Sequence, residues 1–524
     1  MAEVPIVKSL EDIYPEDALS QQNVRWNNLL QSFKDRYGRR AEFVSRSPGR
    51  VNIIGEHIDY SLYEVIPMAV TADVLIAFSL SSSPSPPVKI RLFNTDPKKF
   101  TSGEIEMPKS GEVEIDVSSH EWTNYFKAGL KGATGLLKRK RGQNFASCGM
   151  DVLVDGTVPS GGGLSSSAAF VCATALAVLK ANGEQVVDKK ELVELAVVSE
   201  RAVGVNSGGM DQAASVFSLR GSALFVSFVP ELSARALTFP KTKTPLTFVI
   251  AQSFVTSEKK ITGPVCYNLR VVECTLAALV LSKIFSLRDG LASDHGPLGV
   301  SLRGFQNAYY EQEDGVDPSS VSTEDFQKQL EKLVHMVDDY LPQEEGYDRE
   351  QISELLGMPI EEIEEKYMTK FPVRAELFKL RQRALHVYTE AIRVLKFMKL
   401  LDSSEPKSDE ESEKLLQDLG ALMNSTQDSC RDVYECSCPE LDELCQLARG
   451  AGAYGSRLTG AGWGGCSVHL VPQDKVDAVK KAWYENYYSK RMGKNDPRLS
   501  EAVVVSKPGS GSCLFLVEGR ESIT

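Results

Sequence analysis

The chain has 524 residues, 42% hydrophobic and 25% charged, a globular composition long enough for two or three cores and incompatible with disorder throughout. A formal net charge of −12 repels phosphate backbones and anionic bilayers, which excludes general nucleic-acid binding and electrostatic membrane attachment and favours a small ligand. The first twenty residues have no basic-then-apolar run, no apolar stretch approaches bilayer length, and the ten scattered cysteines suit a reducing compartment, so a cytoplasmic location is expected.

In chain order, "FVSRSPGRVNII" at 43–54 and "VIPMAVTADVLIAFS" at 65–79 are rich in β-branched residues and predict two strands around a polar turn. "SSSPSPP" at 81–87 forces a loop, and 88–118 stays strand-like and polar. Helical spacing follows at 120–139, then a strand at 150–160 and helices at 168–180 and 189–199. The basic run "KRKR" at 138–141 reads as a solvated helix end or a nuclear signal. A change of pattern at 235–245 places a lobe boundary near residue 240, giving lobes 1–240 and 241–524. Residues 320–400 are strongly helical, with a helical insertion expected there, and "QEEGYDREQ" at 343–351 and "SSEPKSDEESEK" at 403–414 lack the apolar content to bury and read as solvated loops or insertions. The last segment, 501–519, fits strands returning to the sheet of the second lobe. Cys436, Cys438 and Cys445 lack the paired spacing and histidines of a zinc site.

Three polar or glycine-rich segments carry the chemistry. "GGGLSSSAAF" at 161–170 puts three glycines in front of a helix, where backbone N–H groups and the positive end of the helix dipole cradle an anion. The hydroxyls of Ser165, Ser166 and Ser167 can cap that helix, donate to phosphate or ligate Mg²⁺, and no lysine follows as in the common phosphate loop. A flexible turn before a capped helix reads the same way. "SPGRVNIIGEHIDY" at 47–60 crowds Arg50, Glu56, His57 and Asp59 onto one short segment, which suits a ligand bearing many hydroxyls. "YGSRLTGAGWGGCSVHLV" at 454–471 is a second glycine-rich turn, fit to pack against a nucleotide or against the first glycine loop.

Taken together and in order, these segments resemble the galactokinases, within the GHMP small-molecule kinase superfamily. "PGRVNIIGEHIDY" looks like the galactokinase signature, "VPSGGGLSSSAAF" like the ATP loop, "GSRLTGAGWGGC" like the third motif, and "GVNSGGMDQAAS" at 204–215 like the segment bearing the catalytic aspartate. "YNLRVVEC" at 267–274 and "YECSCPELDELC" at 434–445 resemble the fungal members. The fold implied is α+β and two-lobed: a ribosomal-protein-like N-terminal lobe of mixed sheet and helices, a C-terminal lobe of antiparallel sheet and helices, and an active site between them.

The reaction implied is transfer of the γ-phosphoryl group of MgATP to the 1-OH of α-D-galactose, which rests on positioning and charge neutralisation. By the resemblance Asp211 would accept a hydrogen bond from that hydroxyl, as base or as electrostatic anchor, with Arg50 beside it neutralising the developing charge. Glu56, His57, Asp59, Tyr267 and the Gly208–Gly209 backbone, with Arg50 and Asp211, would form the sugar pocket. Gly161, Gly162, Gly163, Leu164, Ser165, Ser166, Ser167 and Ala168 would bind ATP. Ser166 or Ser167 and Glu200 would hold Mg²⁺, and Trp122 and Tyr125 would lie near the adenine, although the same spacing fits an ordinary helix core. N-acetylgalactosamine kinase is an alternative within the same chemistry. The fungal resemblance also implies a second role, a sensor that binds galactose and ATP and presents a surface to a transcriptional repressor. One such sensor has an ATP loop shortened by a Ser-Ala pair, whereas the full loop here implies a working catalyst.

Overall fold

The computed structural model describes residues 2–81, 87–107, 113–116, 121–159, 161–203, 208–256, 262–288, 290–403 and 405–517. Strand alternation organises its first layer set. Along β3 (Ile66–Leu80), Val74, Ile76 and Phe78 enter one core while Leu75 and Ala77 enter another. Both faces of the sheet are therefore covered. Helix α1 (Glu16–Tyr37) lies on one face through Trp26, Leu29 and Phe33. On the other face pack α2 (Thr123–Arg141), α3 (Ser166–Ala181), α4 (Lys189–Arg201) and α5 (Met210–Phe217). The sequence reading places no element at 16–37, although Trp26, Leu29, Leu30, Phe33 and Tyr37 recur there at helical spacing.

The sheet has seven strands in the order β1-β13-β2-β3-β6-β4-β5, with β1 (Ile6–Val7), β2 (Phe43–Ile54), β4 (Lys89–Asn94), β5 (Gly103–Glu106), β6 (Met150–Gly156) and β13 (Cys513–Leu516) joining β3. The predicted pair at 43–54 and 65–79 is the antiparallel β2–β3 ladder, running from Phe43 opposite Phe78 to Ile54 opposite Ile66. Of the strand-like stretch 88–118, residues 108–112 and 117–118 lie outside the described residues. "KRKR" forms the last turn of α2, where Lys140 and Arg141 pair with Glu191 and Glu184.

A second sheet is antiparallel, in the order β10-β11-β9-β12: β9 (Leu246–Gln252), β10 (Gly455–Thr459), β11 (Cys466–Pro472) and β12 (Val503–Ser506). A hairpin of β7 (Ser222–Ser227) and β8 (Ser233–Thr238) precedes it. Between β9 and β10 the described chain is helical: α6 (Tyr267–Ile284), α7 (Leu302–Asp314), α8 (Thr323–Tyr340), α9 (Arg349–Leu356), α10 (Ile360–Tyr367), α11 (Leu380–Leu401), α12 (Asp409–Asp432) and α13 (Pro439–Gly450). Helix α12 meets β10 backbone to backbone. A Cβ on Gly420 would stand 2.3 Å from the Tyr454 carbonyl oxygen, so only glycine fits there. Among the described residues no helix is long and apolar enough to cross a membrane.

Two expectations are corrected. The final segment does not return wholly to the second sheet: β12 pairs with β9, but β13 crosses to the first sheet, antiparallel to β2 and parallel to β1. Nor are the acidic segments simply solvated loops. Tyr347 is buried and bridges to Phe378, and Asp348 caps α9 in a capping box. In the second segment Ser408 caps α12, whose first turn takes Asp409, Glu410 and Glu411, favoured there by the helix dipole.

On the α1 face Asp73 of β3 is fully buried and is held by Arg25 Nη1 at 2.6 Å, Arg46 Nε at 2.7 Å and the Tyr14 hydroxyl at 2.5 Å. Burial alone would raise its pKa; the two guanidiniums outweigh burial and hold it below the usual carboxylate value. Removing that charge strands buried Arg46, so Asp73→Ala should lose about 3–5 kcal/mol in urea unfolding. A loss below about 1 kcal/mol would contradict this account.

Candidate active site

The ladder between β2 and β3 shifts register between Pro48 and Arg50 and again between Asn52 and Ile54. Such irregularities re-aim side chains, and here Arg50, still paired with Ala69 in the ladder, sends its side chain to two other segments. Its Nε donates to Asp211 Oδ1 at 2.7 Å and its Nη1 to the Gly163 carbonyl at 2.7 Å. Arg50 is buried, and its proximity to Asp211 overcomes the burial that disfavours its charge, raising its pKa. Its backbone N–H donates to the Leu164 carbonyl at 3.1 Å. Gly49 makes that approach possible, since a Cβ there would lie 2.8 Å from the same oxygen.

The glycine loop enters α3 through Gly161 and Gly163, both at positive φ, and Ser165, a non-glycine at φ +57°. Ser165 does not cap α3 with its side chain, contrary to expectation; its hydroxyl donates to Asp211 Oδ2 at 2.6 Å. Leu164 and Ala168 are buried, whereas Ser166 and Ser167 in the first turn of α3 are partly exposed. The second glycine turn packs on the first: a Cβ on Gly460 would stand 2.6 Å from the Gly163 oxygen, and one on Gly465 would stand 3.3 Å from Gly162.

Asp211 lies in the first turn of α5, with Gly209 at φ +112° before it. Of the motif at 204–215, residues 204–207 lie outside the described residues. Gly208 abuts Asp59, whose Oδ2 would lie 2.4 Å from a Cβ at 208. Burial, reinforced by the charge of Asp211, pushes Asp59 up to about 6. The next residue after Asp211, Gln212, donates from Nε2 to Glu200, which is buried at the end of α4. Tyr125 of α2 stands in the field of Glu200, which with burial raises its pKa. Trp122 stacks on Phe170 of α3 at 5.7 Å and donates from Nε1 to the Thr101 carbonyl at 2.8 Å.

His57, at φ +62°, uses both ring nitrogens on the protein. Nε2 meets the Ala461 carbonyl at 2.9 Å, and Nδ1 meets the Tyr60 hydroxyl at 3.0 Å. The ring therefore ties the 55–60 segment to the second glycine turn. Tyr267, at the start of α6, sits 5.7 Å from the His57 ring. Burial works against protonation of His57, but neighbouring Cys436 and Glu56 raise its pKa. Burial likewise opposes ionisation of Cys436, yet hydrogen bonding to Cys430 and the charge of His57 bring its thiol down to about 5. Glu56 is raised by burial despite its ion pair with fully buried Arg457.

The structure thus draws Arg50, Asp59, Gly163, Ser165, Gly208 and Asp211 into one cluster, with Glu56, His57 and Tyr267 adjoining on one side and Glu200 and Tyr125 on the other. Sequence reasoning missed Arg457, Tyr434, Cys436, His386 and Glu390, which support Glu56 and His57. Arg457, Tyr434 and Cys436 lay inside quoted segments but were given no part in the site, whereas His386 and Glu390 lay outside every quoted motif.

Comparison with known proteins places these segments in a family context. The galactokinase galactose-binding signature matches residues 31–80, the GHMP kinases N terminal domain residues 124–218 and the GHMP kinases C terminal domain residues 412–489. Galactokinase of Saccharomyces cerevisiae is 43% identical over 93% of this chain and 94% of its own, and that of Schizosaccharomyces pombe 40% over 94% and 96%. The Dictyostelium discoideum galactokinase is 36% identical over 97% of each chain. Among solved structures, Lactococcus lactis galactokinase complexed with galactose shares the fold with a TM-score of 0.63, at 23% identity over 93% of this chain and 99% of that one.

The buried carboxyl of Asp59 yields a pH-dependent prediction. Its pKa is raised from 3.8 to about 6, so the protonated form's contribution to stability is complete below the lower value and lost as pH rises through the higher. Asp59→Asn, which cannot ionise, should gain about 2–3 kcal/mol on the parent chain between about pH 4 and pH 7 in urea unfolding, then hold level. A stability difference that does not change with pH would rule out the shift.

Proposed function

This chain belongs to the galactokinases, ATP-dependent sugar kinases of the GHMP superfamily, and from that premise we propose that the cluster around Arg50 transfers the γ-phosphoryl group of ATP to the 1-OH of α-D-galactose. One observation carries the assignment of roles: Arg50 bonds at once to Asp211 and to the carbonyl of the glycine loop, so the sugar segment and the phosphate segment share one fixed point.

Asp211 accepts one bond on each carboxylate oxygen, from Arg50 and from Ser165, which fixes its plane and leaves lone pairs for the sugar 1-OH. As that oxygen attacks phosphorus, its proton moves toward Asp211, and the adjacent guanidinium offsets the charge gathering on the phosphoryl oxygens. The phosphates lie against the glycine loop and the N-terminus of α3, where unpaired N–H groups and the helix dipole favour anions. Glu56, Asp59, His57, Tyr267 and the Gly208–Gly209 backbone shape the sugar pocket. Trp122, stacked on Phe170 of α3, and Tyr125, beside Glu200, would stand on the adenine side.

A buried carboxylate at Glu200 with a hydroxyl at Ser166 or Ser167, completed by phosphate oxygens and water, is the donor set Mg²⁺ accepts, so these residues fit the ion. Mg²⁺ bound there would neutralise phosphate charge. Gln212 orients Glu200 from the residue beside Asp211, which links the metal side of the site to the sugar side.

A coupled assay of ADP release with galactose, N-acetylgalactosamine, 2-deoxygalactose and glucose tests the substrate reading; turnover confined to a sugar other than galactose would overturn it. In Asp211→Ala, kcat should fall by at least about 10³-fold with galactose still bound, and a loss under about tenfold would remove Asp211 from its role. For Glu200→Gln the Mg²⁺ concentration at half-maximal rate should rise by about tenfold while KM for galactose holds; an unchanged Mg²⁺ dependence would place the ion elsewhere.

A further inference from the structure

Glu56 makes polar contacts through its amide, its carbonyl and its carboxylate, and each reaches a residue outside the segment 47–60. Its N–H lies 3.3 Å from Glu390 Oε1, which also accepts from the Gly55 N–H at 2.8 Å. Its carbonyl accepts from His386 Nε2 at 3.0 Å, and its carboxylate pairs with Arg457. His386 and Glu390 are one turn apart on α11, and Val394, the next residue in that stripe, would stand 3.1 Å from a Cβ on Gly55. Three residues at spacing four therefore form a single face on which the Gly55–Glu56 peptide rests.

We propose that Glu390 and His386 of α11 are positioning residues for sugar selectivity, holding the Glu56 carboxylate at a fixed place in the pocket.

Charge and tautomer agree with this role. Glu390 is completely buried, and although burial works against its ionisation, the charges of Arg393 at 2.6 Å and of Arg457 bring it down to about 2, so it meets the two N–H groups as an anion. Thr426 of α12 adds a hydroxyl donor to it at 2.9 Å. Burial lowers His386 to about 3, which leaves the ring neutral. A neutral ring that donates from Nε2 to a carbonyl must accept at Nδ1, and the Ser429 hydroxyl stands there at 2.9 Å. Glu56 is itself destabilised as an anion by burial, so a small displacement from Arg457 weakens it as an acceptor for a sugar hydroxyl.

The inference rests on the galactokinase reading, and galactose turnover by the parent chain is the control that tests that reading separately. Steady-state kinetics of Glu390→Gln should show KM for galactose raised by about tenfold and KM for ATP changed by less than about twofold. With a set of monodeoxygalactoses, the KM penalty of the variant should vanish for the sugar that lacks the hydroxyl read by Glu56, as in a double-mutant cycle. Thr426→Val removes one donor to Glu390 and should shift galactose KM in the same direction by a smaller factor; it decides the matter if Glu390→Gln does not fold. An unchanged galactose KM, equal rises in both KM values, or a penalty uniform across the deoxy sugars would reduce Glu390 to a structural role and overturn the proposal.

Discussion

The bidentate reach of Arg50 is the constraint on which the catalytic geometry depends. One guanidinium fixes the aspartate of α5 and the carbonyl of the glycine loop, while its own backbone is bonded to the next residue of that loop. Three chain segments, one of them more than a hundred residues before the other two, thus share a single reference point. Phosphoryl transfer tolerates little error in the line between attacking oxygen and phosphorus, so this economy of fixed points matters more here than additional contacts would. The glycines serve the same end. Gly49 lets the Arg50 backbone touch the loop, and Gly460 and Gly465 let a second turn press on it from the other side.

Burial of charge is the cost of the arrangement. Glu56, Asp59 and Arg50 are nearly inaccessible, with Asp211 beside them and Arg457 behind. The opposite charges cover only part of the desolvation, as the raised pKa values of Glu56 and Asp59 show. Two non-glycine residues with positive φ, His57 and Ser165, add local backbone strain on the two loops that meet at the centre. Polar groups held under such tension have few alternatives to a ligand that satisfies them, and a sugar lacking the matching hydroxyl leaves one unpaired.

Much of this was legible in the sequence because it rested on local signals. The β-branched runs of β2 and β3, the three glycines before α3 and the polar density around Glu56 and Asp59 each announce themselves within a dozen residues. What escaped was non-local. Helix α1 is the exception, missed although its apolar stripe of Trp26, Leu29, Leu30, Phe33 and Tyr37 has regular helical spacing. The four residues of β13 look the same whichever sheet they join, and only the unpaired edges of β1 and β2 decide the matter. Ser165 reads as a helix cap from its neighbours and turns instead toward an aspartate on another helix. Glu390 and His386 sit in a helix whose pattern explains them without function; their meaning lies in a loop more than three hundred residues away.

The crossing of the last described strand into the first sheet bears on how the molecule is made. Strand β1 pairs with β13 and with no other strand in that sheet, and β13 fills the place between it and β2. During vectorial synthesis the ribosome delivers Ile6 some five hundred residues before the strand it needs, so the amino-terminal lobe emerges with an open edge at β2 and with Ile6–Val7 lacking a strand partner, although residues 2–4 can already bridge to 187–189. Closure of that edge waits for the synthesis of β13. The nascent chain consequently carries, from the synthesis of β2 until that of β13, a strand edge that invites foreign pairing.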